Sequence, residues 1–255
     1  MTPSSQQIAL QATGLTKDFR GFRAVDNVDL TVVAGGVHAL VGPNGAGKTT
    51  LFNLLSGFLT PTAGTITVRG EDVTGLQPEQ IAHKGVARSF QITSLFENLK
   101  PREHVELALQ SRTSLGRRFW RSEKIMRQFR PRADELLAEV GLSHLAEKPA
   151  GELAYGQKRA LEMALVLALD PAIMLLDEPT AGMGIEDVTR TIELVKRIAV
   201  GRTVVFVDHN MHVVGSLADR VTVLQQGKVL AEGSYEEVRR DPRVITAYLG
   251  EASHA

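Results

Sequence analysis

The sequence has 255 residues, in which 29 lysines and arginines balance 29 aspartates and glutamates, so the formal net charge is zero. A chain of this length can bury a substantial core as one large domain, with or without an insertion, and its neutral charge provides no global field that would favour nucleic acid as a partner. Cysteine is absent, which excludes disulfides, thiolate metal sites and a cysteine nucleophile.

Targeting and membrane-spanning segments are also not indicated. The first residues, MTPSSQQ, lack the basic start and the apolar stretch of a signal peptide. The most apolar run, residues 160–169, contains Glu162 and is too short to span a bilayer. We therefore expect a soluble chain that would work at a membrane only through a partner.

Three short segments near the amino terminus, residues 8–12, 28–33 and 65–68, are apolar or alternate in polarity between turn-forming residues. This pattern predicts an antiparallel sheet. Phe19 lies between the first two segments, in a polar turn predicted over residues 17–21. Its ring could stack on a nucleotide base, whereas a lone aromatic residue more commonly fills the core of a small sheet.

Residues 37–55, VHALVGPNGAGKTTLFNLL, are the most informative stretch of the chain. Residues 37–41 predict a buried strand, and an amphipathic helix is predicted to begin near Lys48. The loop between them fits the pattern G-x-x-x-x-G-K-[ST], in which backbone N–H groups face phosphates while the lysine and threonine meet the terminal phosphates and Mg²⁺. Because strand and helix flank the motif, we interpret it as a phosphate-binding loop rather than a simple glycine turn. Its residues are Gly42, Pro43, Asn44, Gly45, Ala46, Gly47, Lys48, Thr49 and Thr50.

Gln91 is a further candidate residue of the nucleotide site. It comes after residues 70–87, which are predicted to form a polar connection with a short helical piece. Residues 89–92 alternate like the end of a strand, which would place Gln91 where that strand stops. A glutamine carbonyl oxygen there could bind Mg²⁺ or the attacking water. A solvated cap is the more common role of such a residue, so the functional interpretation depends on its neighbours.

Residues 111–132 differ in composition from the rest of the chain. Basic side chains outnumber a single acid, Glu123, and aromatic and aliphatic residues are interleaved with them. Such a basic, helical segment could contact anionic lipid headgroups or nucleic acid, or it could be a surface helix that packs its apolar residues inward. Pro131 is predicted to end it, and residues 133–140 to form an ordinary amphipathic helix.

Two adjacent carboxylates follow the second predicted buried strand. A turn signal at residues 152–157 opens a helix that runs to Leu169, and the strand occupies residues 172–176. It leads into Asp177 and Glu178, and open α/β sheets place their chemistry at such carboxyl ends. Because neighbours on an extended strand point in opposite directions, Asp177 would join a magnesium shell while Glu178 would orient or deprotonate the attacking water. The alternative is two solvated acids before a turn.

A third buried strand is predicted over residues 203–207. His209, just after it, could donate a hydrogen bond to a γ-phosphate or could be a solvated cap. Its spacing from His212 would suit a metal pair, but the sequence offers no third ligand nearby, and we treat the pair as incidental. The remaining segments predict a hairpin over residues 221–231 and one or two helices over residues 236–249.

The ordered run of GPNGAGKTT, Gln91, LAYGQ, IMLLDEPT, AGMG and VDHN resembles the nucleotide-binding subunit of an ABC transporter over nearly the whole chain. The resemblance implies an α/β fold in which a P-loop NTPase (ABC ATPase) core carries an antiparallel β subdomain and an inserted α-helical subdomain. It would place the nucleotide-binding domain at residues 8–250, its helical subdomain at about 92–165 and a helical tail at 236–255. Within the family, LAYGQKRALEMA, the turn at residues 182–184 and the ending DPRVITAYLGE are similar to the branched-chain and hydrophobic amino acid importers of the LivG-like group.

The resemblance also implies roles in ATP hydrolysis. Thr49 and Gln91 would meet Mg²⁺, and Asp177 would support it. Glu178 would be the general base, and His209 the sensor of the γ-phosphate.

Two further nucleotide contacts are implied by the resemblance. Phe19 would stack on adenine, and residues 153–157 stand where the family's LSGGQ signature stands. These residues are Leu153, Ala154, Tyr155, Gly156 and Gln157. Ala154 and Tyr155 replace serine and glycine, so the serine hydroxyl that contacts γ-phosphate across the dimer is missing, and we expect the helix N-terminus to retain a weaker contact. The turn at residues 181–184 likewise lacks the family's common acidic residue.

The implied function is an ATPase that powers import of a branched-chain amino acid or a similar small polar solute. Two chains would sandwich two ATP molecules, so a second ATP-binding subunit, a copy or a relative, is an expected partner. Integral membrane permease subunits are further expected partners. Residues 95–99 would contact them, unless these residues belong to the ordinary core. A periplasmic or extracellular solute-binding protein is expected to act indirectly. The expected location is peripheral, at the cytoplasmic face of the cell membrane.

Two alternative functions remain at this point. A soluble ABC ATPase acting on nucleic acid or the ribosome would share the motifs, although we expect no nucleic-acid partner for a chain of this length and charge. A P-loop kinase or GTPase would need an acceptor site or a guanine-specific motif, and the sequence has no N-K-x-D string.

Overall fold

The computed structural model describes residues 7–89, 95–112 and 127–252, and their strands form two sheets. The predicted ligand Gln91 lies outside the described residues, as do residues 113–126, which make up most of the basic segment. No helix in the described ranges combines the length and the apolar character that crossing a lipid bilayer requires.

The first sheet is antiparallel, as the sequence predicts. Its strands are β1 (Ile8–Phe19), β2 (Phe22–Val33), β4 (Ala63–Val68) and β5 (Glu71–Asp72), in the spatial order β2-β1-β4-β5. The turn predicted over residues 17–21 is shorter in the structure. Phe19 is the last residue of β1 and pairs with Phe22, and only Arg20 and Gly21 form the turn, with φ angles of 43° and 91°.

The second sheet contains the three predicted buried strands and the predicted hairpin. Its strands are β3 (Val37–Val41), β6 (Val86–Arg88), β7 (Ile173–Asp177), β8 (Thr203–Val207), β9 (Arg220–Gln225) and β10 (Lys228–Gly233), in the order β10-β9-β3-β8-β7-β6. β10 pairs antiparallel with β9, and the other neighbours pair parallel. β6 ends at Arg88, and residues 90–92 of the predicted strand end lie outside the described residues. The carboxyl ends of β3, β7 and β8 therefore meet at one edge of the sheet.

Helices connect these strands and follow the last of them. They are α1 (Lys48–Leu55), α2 (Pro78–His83), α3 (Pro101–Ser111), α4 (Arg130–Glu139), α5 (Tyr155–Ala168), α6 (Ile185–Ile198), α7 (Met211–Leu217), α8 (Tyr235–Arg240) and α9 (Pro242–Ala252). Short 3₁₀ turns occur at Arg127–Phe129, Ser143–Leu145 and Ala150–Glu152.

The helices α3, α4 and α5 contact one another and lie between β6 and β7 in the chain. The sequence predicts the inserted helical subdomain in this part of the chain. Its boundaries, at about residues 92 and 165, stay a prediction. The position of Pro131 differs from the prediction, because it lies in the first turn of α4. Proline suits that position because the first N–H groups of a helix have no partner within it.

Both faces of the central strands β3, β7 and β8 are buried, which explains why these strands are mainly apolar rather than alternating. On β3, Ala39 and Val41 face a core shared with α4, α5 and α6. Leu40, between them, faces a second core, formed with α1 and the antiparallel sheet. The sheet is thus held rigidly from both sides, and the loops at its edge begin from fixed positions.

One buried polar group in the sheet predicts a dependence of stability on pH. His38 on β3 is 3% exposed, and its Nε2 lies 2.8 Å from Thr222 Oγ1, whose hydroxyl donates to Glu232 Oε2 at 3.2 Å. Burial lowers the pKa of His38 to about 4. The unfolded chain binds a proton at this residue near pH 6.5 while the folded chain does not, so stability falls as the pH drops below that value.

We expect His38 to account for about 2 kcal/mol of the free energy of unfolding that is lost between pH 7 and pH 5. Urea unfolding of wild type and of His38→Gln at both pH values measures this difference, because titrations common to the two proteins cancel. Equal losses in the two proteins would contradict the assignment to His38.

Candidate functional site

The predicted phosphate-binding loop connects β3 to α1, and its conformation depends on glycine. Gly42, Gly45 and Gly47 have φ angles of 145°, 75° and 98°, which L side chains rarely adopt. Lys48 lies at the start of α1, and its Nζ donates to the carbonyl oxygens of Gly42 and Pro43 at 2.6 and 2.8 Å. The loop therefore curls around a lysine ammonium at a helix N-terminus, an arrangement that binds phosphate.

The loop is also held from outside by parts of the chain that sequence analysis did not connect with it. The N–H of Gly227, at the tip of the β9–β10 hairpin, donates to the Ala46 carbonyl at 3.0 Å. A Cβ at Gly42 would lie 2.2 Å from the Leu224 carbonyl oxygen, and one at Gly47 would lie 2.4 Å from that of Ala24. The hairpin and β2 thus fix the position of the loop.

This packing predicts different costs for two substitutions within one loop. Gly45→Ala should cost about 1–2 kcal/mol, from its positive φ alone, because no atom of the described residues lies within 4 Å of a Cβ built there. Gly47→Ala should cost about 2–5 kcal/mol, because the new methyl group also overlaps the Ala24 backbone. Urea unfolding measures both, and equal costs would contradict the packing argument.

Asp177, the predicted magnesium residue, ends β7 and forms an ion pair that sequence analysis missed. Arg88, at the end of the neighbouring strand β6, places Nη2 at 2.5 Å from Asp177 Oδ2, and both side chains are largely buried. The Arg88 guanidinium also donates to Asn53 Oδ1 at 2.6 Å and to Ser56 Oγ at 3.0 Å on the α1 side. The sequence placed Arg88 between a predicted polar connection and a predicted strand end, which gave no signal for this ion pair.

Glu178 and His209 lie together at the same sheet edge. His209 Nδ1 is 4.0 Å from Glu178 Oε1, and their side chains are 69% and 43% exposed. The prediction that alternation along an extended strand separates Asp177 from Glu178 is wrong, because β7 ends at Asp177. Glu178 has left the strand and adopts a left-handed φ of 43°, fixed by its N–H donating to the Val207 carbonyl at 2.9 Å.

The loop that carries His209 is organised by a buried acid that sequence analysis gave no role. Asp208 is fully buried, and its Oδ2 accepts from the Thr180 hydroxyl at 2.7 Å. Its Oδ1 accepts from the Asn210 N–H at 2.8 Å. Asp208 thereby ties the turn after Glu178 to the turn that holds His209.

Residues 153–157 lie at the start of α5, and they occupy the position of the LSGGQ signature. Leu153 is buried, and Ala154 and Tyr155 are exposed. Ala154 precedes the helix and provides no side-chain acceptor for its first N–H groups, although Gln157 Oε1 accepts from the Ala154 N–H at 3.0 Å. The N–H groups of the first turn, including that of Gly156, are suited to an anion.

Phe19 does not fill the core of the antiparallel sheet. Its side chain is 41% exposed, and Lys17 Nζ lies 5.2 Å from the centroid of its ring. The core alternative considered from the sequence is therefore wrong, and the ring is accessible to a flat ligand. Such an exposed aromatic face suits stacking on a base.

The oxygen donors of the site are compatible with magnesium. Thr49 is exposed on the first turn of α1 and offers a hydroxyl, and Asp177 offers a carboxylate. Mg²⁺ prefers oxygen ligands and is commonly held by one or two protein groups together with phosphates and water. The described residues contain no cluster of three or more histidine, aspartate or glutamate side chains that would form a metal cage of their own.

Comparison with known proteins identifies the family to which this arrangement belongs. The ABC transporter family model matches residues 25–181, and the model for branched-chain amino acid ATP-binding cassette transporters matches residues 228–254. The high-affinity branched-chain amino acid transport ATP-binding protein BraF of Pseudomonas aeruginosa is 41% identical over 253 residues, which cover 95% of this chain and 98% of BraF. The corresponding protein LivG of Escherichia coli K12 is 39% identical, covering 96% of this chain and 99% of LivG.

A solved structure has the same fold. The dimeric post-hydrolysis state of the ATP-binding cassette MJ0796, bound to ADP and Pi, matches with a TM-score of 0.74 and 26% identity, covering 89% of this chain and 98% of that one. The predicted fold class and the family resemblance are thus confirmed. The chain belongs to the ABC transporter family, as an ATPase subunit similar to the branched-chain amino acid ATP-binding proteins.

Proposed function

We propose that this chain powers an importer of a branched-chain amino acid or a similar small polar solute. The observation that carries the proposal is the likeness to BraF and LivG, which extends over at least 95% of this chain and nearly all of both relatives. The match of the branched-chain amino acid model to residues 228–254 supports it independently, because those residues lie outside the ATPase motifs.

In the proposed reaction, the phosphate loop binds ATP, and a water molecule at the sheet edge attacks the γ-phosphate. Lys48 and the N–H groups of residues 42–50 hold the phosphates, and Phe19 stacks on adenine. Thr49, Gln91 and Asp177 would hold Mg²⁺, which would neutralise phosphate charge. Little covalent chemistry is required of the protein, since positioning and charge stabilisation carry phosphoryl transfer to water.

Glu178 and His209 have separate roles in this proposal. Glu178 orients the attacking water and accepts its proton, and its exposed carboxylate is accessible to that water. His209 donates a hydrogen bond to the γ-phosphate. Their proximity at the carboxyl ends of β7 and β8 supports a shared site of action.

We further propose that two ATP-binding subunits close on ATP, with residues 153–157 of each serving the nucleotide of the other. The exposed Ala154 and Tyr155 at the N-terminus of α5, together with Ile185 at 88% exposure at the start of α6, support this surface as an interface. The dimeric MJ0796 cassette, similar in fold, supports the same assembly. Closure on ATP would be the step that does work on the membrane subunits.

The proposed contact with a permease subunit is the segment at residues 95–99. Phe96 is 65% exposed, which disfavours the alternative of ordinary core packing, although Leu95 packs against the helical core. The Phe96 backbone N–H donates to His104 Nε2 at 3.0 Å, and His104 Nδ1–H donates to the Lys100 carbonyl at 2.9 Å. An exposed ring on a segment held in this way suits a partner surface. The chain would then be peripheral, at the cytoplasmic face, with a solute-binding protein acting indirectly.

Copurification tests the proposed partnership. Recovery of the tagged chain from detergent-solubilised membranes with integral membrane proteins is expected, and recovery with RNA or DNA would instead support the nucleic-acid alternative. Direction and solute are tested by uptake of labelled leucine into cells that lack the chain. Wild type should restore uptake and Glu178→Gln should not, and restored efflux without uptake would contradict import.

A further inference from the structure

The first turns of α5 are linked to the loop that carries Glu178 in the same chain. The Tyr155 hydroxyl donates to the Ala181 carbonyl at 2.9 Å. Arg159 Nη2 donates to the Asp177 carbonyl at 2.5 Å and to the Glu178 carbonyl at 3.3 Å. Tyr155 and Arg159 are four residues apart, so they share one face of the helix and reach the loop at two points.

The loop itself has little freedom to move independently of this helix. The Ala181 N–H donates to the Glu178 carbonyl at 3.1 Å, which closes a turn between the two points of contact. Arg159 is almost completely buried, and its Nη1 lies 2.7 Å from Glu162 Oε2 on the same helix. A buried guanidinium held by a carboxylate cannot exchange its backbone partners for water at low cost. A shift of the α5 N-terminus is therefore expected to carry Glu178 with it.

We propose that Tyr155 and Arg159 are positioning residues that couple the two ATP sites of the dimer. Binding of the partner's nucleotide by residues 153–157 would set the position of α5 and, through these two side chains, the position of Glu178 in the chain's own site. The inference rests on the dimer in the proposed function. It also assigns a role to the tyrosine that replaces a signature glycine, since glycine has no hydroxyl with which to hold Ala181.

Tyr155→Phe tests this link, because it keeps the ring and removes only the hydrogen-bond donor. Loss of one such bond should lower kcat for ATP hydrolysis about 3- to 10-fold, while KM for ATP changes by less than about twofold. Dimerisation on ATP, measured by size-exclusion chromatography in the Glu178→Gln background, should be unchanged, because it does not require a well-placed Glu178. Tyr235→Phe, at the start of α8 and away from this loop, is the matched control.

Arg159→Lys provides a second measurement. It keeps a positive charge, but a single ammonium cannot reproduce the fork in which Nη1 contacts Glu162 and Nη2 contacts the two carbonyl groups. A loss of kcat at least as large as that of Tyr155→Phe is expected, again with ATP-dependent dimerisation retained in the Glu178→Gln background.

The outcomes separate the inference from the proposed function. Wild-type turnover in Tyr155→Phe would overturn the inference alone, and so would loss of dimerisation together with turnover, since the residue would then act in assembly. A wild-type chain that hydrolyses ATP at full rate as a monomer would overturn the proposed dimer and the inference with it.

Discussion

The Glu178→Gln variant is expected to bind ATP and to form ATP-dependent dimers, yet to hydrolyse ATP at least about 100-fold more slowly than wild type. A glutamine has nearly the same shape as glutamate but cannot accept the proton of the attacking water. The side chain is 43% exposed beside His209, and no lysine or arginine of the described residues pairs with its carboxylate, so little structural change is expected. Steady-state phosphate release and size-exclusion chromatography with ATP measure the two properties separately.

Glu79→Gln provides the matched control, because it makes the same chemical change on an exposed residue of α2. It should leave turnover and dimerisation as in wild type. Normal turnover in Glu178→Gln would remove Glu178 from its proposed role. Full activity per molecule at dilutions where the wild-type protein is monomeric would contradict the requirement for a partner.

The Lys48→Ala variant is expected to lose ATP binding, with Kd raised about 100-fold or more. The Lys48 ammonium contacts the Gly42 and Pro43 carbonyl groups at the mouth of the phosphate loop. It is therefore placed to make charge-assisted hydrogen bonds to phosphate oxygens, which are the strong class of hydrogen bond. Isothermal titration with ATP measures the affinity, and turnover and ATP-dependent dimerisation should be lost together.

Lys196→Ala, on the exposed last turn of α6, removes the same charge elsewhere and should bind ATP normally. This result distinguishes a local effect from a change in net charge. Glu178→Gln and Lys48→Ala should therefore fail at different steps, the first after dimerisation and the second before it. Normal ATP affinity in Lys48→Ala would contradict the assignment of the loop.

The sequence by itself determined the elements whose signals are local. Apolar runs predicted β3, β7 and β8 because strands covered on both faces are built mainly from apolar side chains. The phosphate loop was predicted because its backbone conformation requires glycine at fixed spacings between a strand and a helix. Glu178 and His209 were each predicted to follow a buried strand and to act on ATP, and the structure places the two side chains together at one sheet edge.

Only the tertiary structure decided the contacts between segments that are distant in the chain. The pairing of Arg88 with Asp177 joins strands 89 residues apart, and the Tyr155 contact with Ala181 joins a helix to a separate loop. The exposure of Phe19 and the left-handed turn at Glu178 also depended on neighbours that no local pattern specifies. The physical reason is that periodicity and turn propensity act over a few residues, whereas hydrogen bonds and packing between distant segments are fixed when the sheets and helices assemble.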